Sequence, residues 1–301
     1  MDSANFGRRH FLRGLALTGT SLIVTQAYGQ QPGQRGQLTE PVFRVAKAAS
    51  SDPNNGAQPG GHPLDPALQI ADEALVRIQR DVVDYTATVV KRERVKGVVG
   101  NYEYMFAKIR NRKVVDGKIV TPLSAYLKFL KPDDIKGREV IWVEGQNNNK
   151  MKAHEGGLLG RTLPSVWLDP HGALAMRGQL HPIDEIGIEN LIVKLIEKGE
   201  RDKQYDECEV TFQKGAKING RSCTVLSVRH PEQRPHFEFH LAQIFIDDEM
   251  NLPVRYAAFS WPTRKDDQTG PVLEEYTYLD MKLNQGLTNA DFDPNNPNYG
   301  F

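Results

Sequence analysis

The sequence lacks an excess of either charge. Its 301 residues include 38 lysines and arginines against 38 aspartates and glutamates. Three arginines and one aspartate lie in residues 1–29, so 35 basic and 37 acidic residues remain without that segment. Proteins that bind nucleic acids neutralise phosphates with a basic excess gathered in one patch. The composition therefore predicts no nucleic-acid partner.

Cysteine is scarce as well. Cys208 and Cys223 are the two in the chain, and an oxidising compartment would allow one disulfide between them. A two-residue hairpin turn at 219–220 would place Cys208 opposite Pro231 and Cys223 opposite Ala216. Sulfur atoms in such positions do not face each other. The sequence leaves both a disulfide and two free thiols open.

A long apolar run is also missing. The most apolar stretch, residues 14–24, would rise only about 16 Å as a helix, roughly half of a bilayer's hydrocarbon core. It follows a basic segment in which Arg8, Arg9, Phe11 and Leu12 resemble a twin-arginine export signal. We therefore interpret the N-terminus as an export signal and not as a membrane span.

The export signal sets the expected domain organisation. We predict a signal over residues 1–29 with cleavage after Gly29, a flexible leader rich in Gln, Pro and Gly over 30–64, and a single domain over 65–301. The leader holds too few large apolar residues to offset its ordering entropy. No transmembrane segment is expected after signal removal. The periplasm, reached by the twin-arginine pathway, is the predicted location.

Motifs of catalysis and metal binding are missing too. The sequence has no Gly-x-Ser-x-Gly elbow, and its cysteines lack the local context of a nucleophile. His236, Glu238 and His240 would share one face of a strand, but about 13 Å would separate the α-carbons of the two histidines. That distance is too long for two ligands of one metal. We predict no enzyme, no metal and no cofactor, and keep a hydrolase with a dispersed site as an alternative.

Amphipathic helices and a long apolar loop are what the sequence does contain. A helix beginning at Asp65 is indicated by apolar residues at three- and four-residue steps, namely Leu68, Ala71, Leu75, Ile78 and Val82. The same spacing predicts a helix over Pro182–Gly199. Before it, Gly156–Gly178 is apolar and rich in glycine. Such a loop is typical of a lid or binding loop, or of a loop packed into the core.

Strand patterns fill most of the remaining chain. Residues with a period of two, separated by short turns, predict an antiparallel sheet of about nine strands. These strands cover residues 84–94, 101–110, 125–131, 138–145, 208–215, 221–230, 236–248, 254–261 and 273–284. Together with the helices they predict one α+β domain.

Several of these strands carry apolar residues on both faces. A half-solvated sheet would have one polar face, so we expect helices on one face and a cavity or curled sheet on the other. An ordinary core with surface aromatics is the alternative. The candidate lipid-contacting residues are Met105, Ala107, Ile109, Leu127, Phe129, Phe237, Phe239 and Leu241 from strands, and Leu191 and Leu195 from the second helix.

Three segments carry a resemblance to known proteins. Residues 126–145, 244–262 and 273–294 resemble the domain of unknown function 1571 family, and the order of elements over 65–294 resembles the periplasmic lipoprotein-carrier superfamily. The resemblance implies a strongly curved, unclosed antiparallel sheet, a half-barrel covered by helices. In the carriers its apolar hollow shelters acyl chains, and relatives include periplasmic sensors of envelope stress.

The expected function follows from the apolar faces and from this resemblance. We expect a non-catalytic periplasmic protein that binds a lipid, or an acylated polypeptide such as a lipoprotein, in an apolar cavity. The second helix and the loop before it would form a movable cover. The alternative is an envelope-stress or assembly factor that recognises an envelope protein as its partner.

Overall fold

The computed structural model describes most of the predicted domain. The described residues are 42–43, 61–158, 160, 162–264, 267 and 269–301. The expected export signal, with Arg8, Arg9, Phe11 and Leu12, lies outside them. Among the residues that are described, no helix is long and apolar enough to cross a membrane.

The first helix, α1, spans Asp65–Asp81, as the apolar spacing predicts. Pro66 stands in its first turn, where the N–H that proline lacks would have no helical partner. The Asp65 carboxylate accepts a 2.8 Å hydrogen bond from the His62 N–H and pairs at 2.6 Å with Lys203. This ion pair ties the start of α1 to the residue that follows the second helix.

The second helix, α2, spans Ile188–Asp202, so the predicted range 182–199 begins and ends too early. Ile183–Glu185 form a separate 3-10 turn. Gly187 has φ 109°, a conformation that side-chain-bearing residues rarely adopt, and a Cβ there would lie 3.2 Å from the Tyr85 hydroxyl oxygen. The chain therefore bends at this glycine before α2 starts.

Gly199 does not end α2, because its role is packing. A Cβ at this position would lie only 2.7 Å from Cδ2 of Leu68 on α1. Glycine lets the two helices approach closely, and α2 continues for three residues beyond it to Asp202. Gly199, the last residue of the predicted helix, is thus a point of close contact between two helices.

Strands make up most of the domain. The described residues form β1 (Val42–Phe43), β2 (Asp84–Val95), β3 (Val98–Val99), β4 (Glu103–Arg110), β5 (Lys113–Val115), β6 (Lys118–Thr121), β7 (Ser124–Lys131), β8 (Glu139–Val143), β9 (Met151–His154), β10 (Val166–Leu168), β11 (Glu209–Ile218), β12 (Arg221–Arg229), β13 (Leu241–Asp247), β14 (Leu252–Phe259) and β15 (Val272–Leu283). Each predicted strand is represented, and β1, β3, β5, β6, β9 and β10 are additional.

Thirteen of these strands form one antiparallel sheet in the order β1-β11-β12-β13-β14-β15-β2-β4-β7-β8-β9-β10, with β3 paired to β2. β5 and β6 form a separate hairpin. The last strand, β15, pairs with β2 and so joins the two halves of the chain. Because β1 and β10 lie at opposite edges, the sheet is not closed. The expected α+β fold, an unclosed antiparallel sheet covered by helices, is confirmed.

The predicted strand over 236–248 is wrong at its start. Residues 236–240 lie outside the sheet, and β13 begins only at Leu241. Pro235 has no N–H to donate to a ladder, and the Phe237 N–H donates instead to the Arg234 carbonyl across a turn. The alternation of histidine and phenylalanine was therefore not strand periodicity.

Both faces of the sheet are covered, but not as expected. α1 and α2 pack on one face, where Ile78, Ile188 and Ile192 are fully buried. On the opposite face, Phe292 from the C-terminal segment is buried, and the Tyr299 ring stacks on Tyr126 at 4.0 Å between centroids. Apolar residues on both faces thus reflect helices on one side and the C-terminal segment on the other.

Candidate ligand-binding hollow

A hollow of about 840 Å³ lies on the helix-bearing face of the sheet. We call it the large hollow. It is bounded by β2, β4, β7, β8, β9 and β15, by α2, and by the described residues 156–158, 160 and 162–182, which include β10 and which we call the cover loop. Its volume lies within the range of about 300–1,000 Å³ that is usual for small-molecule sites.

The floor of the large hollow is apolar because alternate residues of neighbouring strands face the same way. Val89 on β2 pairs with Met105 on β4, and Met105 pairs with Phe129 on β7. Further floor residues are Leu127, Val140, Met151, Ala153 and Tyr278. Five adjacent strands and β15 thereby present one continuous apolar surface.

The cover of the large hollow consists of α2 and the cover loop. α2 contributes Leu191 and Leu195, the cover loop contributes Leu163, Pro164 and Leu174, and its short strand β10 contributes Val166 and Leu168. Its solvent-exposed side chains are also apolar: Leu158, outside the lining, is 82% exposed, and Leu174, at the border of the hollow, is 63% exposed. The cover loop is therefore apolar towards the hollow and towards solvent.

The floor becomes charged at one end. Along β2, the hollow-facing residues run from Val89 to Lys91 and Glu93, and Glu103 on β4 and Glu274 on β15 lie at the same end. We call Lys91, Glu93, Glu103, Glu274 and Tyr276 the charged end. The Tyr276 hydroxyl donates to Glu93 Oε1 at 2.6 Å and lies 3.2 Å from Glu274 Oε2. The large hollow thus has an apolar floor with a polar group of residues at one end.

The cover loop is attached to the charged end. The Leu180 N–H donates to Glu93 Oε2 at 3.0 Å, and Nε2 of His181 lies 2.7 Å from Glu274 Oε2. Lys91 donates to the Gln179 side-chain oxygen at 3.3 Å. Three consecutive residues of the loop therefore hold it to the sheet.

The ion pair between His181 and Glu274 shifts the pKa of both groups. The hydrogen bond to Glu274 raises the pKa of His181 above its ordinary value of 6.5. Burial pushes the pKa of Glu274 upwards, but the hydrogen bond from His181 and the charges of His181 and Lys198 outweigh burial and lower it. On the other side of the His181 ring, Nδ1 lies 3.1 Å from Glu185, which also pairs with Lys194.

A second hollow on the same face is much smaller. It measures about 80 Å³ and lies between α1, α2 and strands β12 to β14. Its lining includes Leu64, Ala67 and Leu68 from α1 and the residue before it, together with Val228 and Phe239. We call it the small hollow; Leu195, Lys198 and Tyr256 border both hollows.

Comparison with known families assigns the chain to one of them. The sequence matches the family described as "Protein of unknown function (DUF1571)" over residues 82–301, which is most of its length. The chain belongs to the DUF1571 family. No curated protein matches the sequence.

Several solved structures are similar to this DUF1571 protein. A putative outer membrane lipoprotein-sorting protein domain from Vibrio parahaemolyticus is 14% identical, with a TM-score of 0.36 and coverage of 75% of this chain and 95% of that one. The Mycobacterium tuberculosis lipoprotein LppX is 13% identical, with a TM-score of 0.37 and coverage of 76% and 100%. A chain of the MucA/MucB complex of Pseudomonas aeruginosa is 14% identical, with a TM-score of 0.40 and coverage of 75% of this chain and 60% of that one. TM-scores this low leave function to be argued from the large hollow itself.

The ten candidate lipid-contacting residues of this DUF1571 protein divide by position. Those that line the large hollow are Met105, Leu127, Phe129, Leu191 and Leu195. Phe239 lines the small hollow. Ala107 and Ile109 are buried in the core under α2, the Phe237 ring stacks on His230 at 3.8 Å, and Leu241 begins β13 away from both linings.

The sequence did not single out several residues of the large hollow. Met151 and Ala153 lie on β9, which was not predicted because it has only four residues. Val89, Lys91 and Glu93 lie on a predicted strand, and their period of two already placed them on one face. The change from apolar to charged residues along that face was the signal that could have revealed the charged end.

The two cysteines do not form a disulfide. Both are free and buried, and they belong to separate apolar clusters. The predicted pairing of Ala216 with Cys223 is confirmed, but a bulge between Gln213 and Ala216 shifts the register beyond it. Burial raises the pKa of Cys208 to about 12 and that of Cys223 to about 11, which makes both thiols poor nucleophiles.

The histidine-rich segment before β13 does not converge on one point. The His236 ring stacks on Tyr205 at 3.7 Å, whereas Glu238 pairs with Arg201 at 2.8 Å. The Nδ1–H of His240 donates to the His230 carbonyl oxygen at 2.9 Å. Within the described part of the chain, no group of three or more His, Cys, Asp or Glu residues could hold a metal ion.

Proposed function

We propose that this DUF1571 protein binds an amphiphile, a lipid or the acylated part of a polypeptide, in the large hollow without catalysing a reaction. The observation that carries the proposal is a hollow of about 840 Å³ with an apolar floor beneath a loop cover. Burying each methylene of such a ligand contributes about 0.8 kcal/mol, so eight would contribute about 6 kcal/mol before ordering costs. Affinity then needs little polar chemistry.

A fluorescence assay tests the proposal. The purified full chain is titrated with N-phenylnaphthylamine, a neutral apolar fluorophore whose emission rises in apolar surroundings. We expect saturable binding that phospholipid or fatty acid displaces. Ala153→Trp, which fills the hollow from β9, should weaken binding by about tenfold or more, the equivalent of about 1.4 kcal/mol.

Ala290→Trp is the matched control, because Ala290 is exposed in the C-terminal segment on the opposite face. It should leave fluorophore binding unchanged. Equal binding by both variants and the unsubstituted chain, or no binding by any of them, would contradict the proposal.

Export is part of the proposed role. Residues 1–29 carry the twin-arginine pattern, and a lipid carrier of the envelope has to reach the periplasm. Replacing both Arg8 and Arg9 with lysine should leave the protein in the cytoplasmic fraction, because the twin-arginine pathway requires its arginine pair. Periplasmic recovery of that variant would exclude this export route.

A second candidate function is recognition of an envelope protein. β10 is an edge strand whose Val166 and Trp167 are 43% and 41% exposed, and an exposed edge can pair with a strand of another chain. Photo-crosslinking from position 167 in cells distinguishes the two functions. A defined protein partner that Ala153→Trp still captures would favour recognition of a protein over binding of a lipid.

A further inference from the structure

The charged end of the large hollow contains an arrangement that stability alone does not favour. Glu93 and Glu274 are paired directly opposite each other on β2 and β15. Their side chains are only 5% and 10% exposed. Like charges directly opposite on neighbouring strands are destabilising, and buried carboxylates need partners. Such a pair at the wall of a hollow points to a ligand that uses it.

The partners that these carboxylates have come largely from the cover. The Leu180 N–H donates to Glu93, and His181 bonds to Glu274. Both donors belong to the cover loop, whereas Tyr276 is the donor from the sheet itself. If the loop moves to admit a ligand, both carboxylates lose a hydrogen-bond donor at the same time.

The neighbouring cations are already held by carboxylates. Lys91 lies 3.6 Å from Glu93 and 3.4 Å from Glu103. Lys198 lies closer to Glu238, at 3.0 Å, than to Glu274, at 3.8 Å. An anionic ligand group would have to compete with these carboxylates for the lysines.

Three further lysine or arginine side chains border the hollow without pairing with these carboxylates. Arg138 pairs with Glu155 at 2.9 Å and Lys194 pairs with Glu185, so carboxylates hold both. Arg177 also borders the hollow, but it is exposed on the cover loop, where solvent screens its charge. None of the three offers a buried, unshared cation to an anionic head group.

An independent observation lies beside the charged end. Tyr256 on β14 is 3% exposed and lines the hollow. Its hydroxyl faces Glu274, and burial together with that carboxylate raises the pKa of Tyr256, but the hydroxyl makes no hydrogen bond of ordinary length within the described residues. A buried hydroxyl in this state costs free energy that a polar ligand group would recover.

We propose that the ligand of the large hollow carries a cationic, hydrogen-bond-donating head group, of the alkyl amine type, that binds Glu93 and Glu274 in place of Leu180 and His181. Its apolar part lies on the floor formed by β2, β4 and β7. Tyr256 and Tyr276 border the head group. This inference rests on the proposed function, and it narrows the ligand from any amphiphile to one class.

Competition among three ligands of equal chain length tests the inference. Decylamine, decanol and decanoate, each below its micelle concentration, displace N-phenylnaphthylamine from the full chain at pH 7. Decylamine should bind about tenfold tighter than decanol, the difference between a charge-assisted and a neutral hydrogen bond, and decanoate should bind weakest because its carboxylate is repelled by Glu93 and Glu274.

Substitutions assign the preference to the carboxylates. Glu93→Gln and Glu274→Gln should each lower the amine preference to about threefold or less while decanol affinity stays unchanged, since the amide keeps the size but not the charge. Glu197→Gln is the matched control, because Glu197 is exposed on α2 and outside the hollow. In the unsubstituted chain, the preference for the amine should fall as the salt concentration rises, because salt screens the attraction between charges.

The outcomes separate this inference from the proposed function. Equal displacement by all three ligands, or tighter binding of decanoate, would overturn the head-group assignment and leave the hollow as a lipid site. Failure of the fluorophore itself to bind would overturn both. An amine preference that survives both glutamate substitutions would also overturn the assignment.

Discussion

The two hollows lie on the same face of the same sheet and share α2 as a wall, yet their volumes are about 80 Å³ and about 840 Å³. The small hollow is what remains where α1 packs against α2 and β14. At the large hollow the described residues place no second helix over the floor, and the cover loop lies there instead. A helix presents a continuous apolar stripe that fills the space above strands, whereas a loop with glycines and prolines leaves it open. The large hollow therefore exists because a loop, and not a helix, lies over that part of the sheet.

The largest expected effect separates the two sides of α2. Ile192→Ala should cost about 2–5 kcal/mol of unfolding free energy, because Ile192 is 1% exposed in the packed core. Leu191→Ala, on the wall of the large hollow, should cost about 1 kcal/mol or less, since its side chain already borders empty space. Chemical denaturation of both variants measures the difference. Equal losses would show that the large hollow is as well packed as the core.

Filling the two hollows should give a smaller difference of the same kind. Ala67→Trp inserts a ring into the small hollow and should cost about 1–3 kcal/mol through overpacking. Ala153→Trp inserts the same ring into the large hollow and should change stability by about 1 kcal/mol or less. Thermal or chemical unfolding compares them. A heavier loss for Ala153→Trp would contradict the volumes assigned to the hollows.

The attachment of the cover loop should respond to pH. The raised pKa of His181 means that its contribution is complete below about 6.5 and is lost as pH rises through the folded value. The lowered pKa of Glu274 means that its contribution is present above about 4.5 and is lost as pH falls through the folded value. Glu185 and Lys194 also face the ring. Both contributions are complete between about pH 4.5 and pH 6.5, so the loop should be held most firmly in this window.

Release of preloaded N-phenylnaphthylamine measures this attachment. The release rate should rise roughly threefold above the upper limit of that window, a modest effect because the partly exposed His181 is screened by solvent. His181→Gln should release at a rate that no longer varies between pH 5 and pH 8, where histidine ordinarily titrates. The same pH profile in both proteins would remove His181 from the attachment.

The smallest effect is expected on the outer side of the cover loop. Leu158→Ser should change unfolding free energy by about 0.5 kcal/mol or less, because its side chain is 82% exposed. The inward Leu168→Ser should weaken fluorophore binding instead. Loss of stability in Leu158→Ser would indicate that the loop is part of the core.

The strands and helices were predictable where a period was long. α1 and the longer strands have repeated apolar spacing over many residues, so local pattern and tertiary packing agree. β9 and β10 have four and three residues, too short for a period to appear, and pairing of β9 with β8 and of β10 with β9 establishes them. The segment 236–240 had the right alternation, but Pro235 interrupts the backbone pairing that a strand requires.

The site was predictable only in part for a physical reason. The apolar faces indicated that something covers the sheet, and Met105, Phe129 and Leu191 do line the large hollow. A single sequence gives the face on which a residue lies, but not whether a helix or a loop lies above it. The sequence leads to two expectations, a cavity on the face away from the helices and a cover formed by α2 and the loop before it; the large hollow lies on the helix-bearing face, next to α2 and the cover loop. The pairing of Glu93 with Glu274 depends on β15 joining β2, a contact between distant segments that periodicity does not encode.

Native mass spectrometry of the full chain, isolated without detergent from the envelope of cells that express it, tests the central claim most directly. The account predicts a mass in excess of the polypeptide that corresponds to one amphiphile, and loss of that excess in Ala153→Trp but not in Ala290→Trp. The bare polypeptide mass for the unsubstituted chain, with the three proteins indistinguishable, would contradict it.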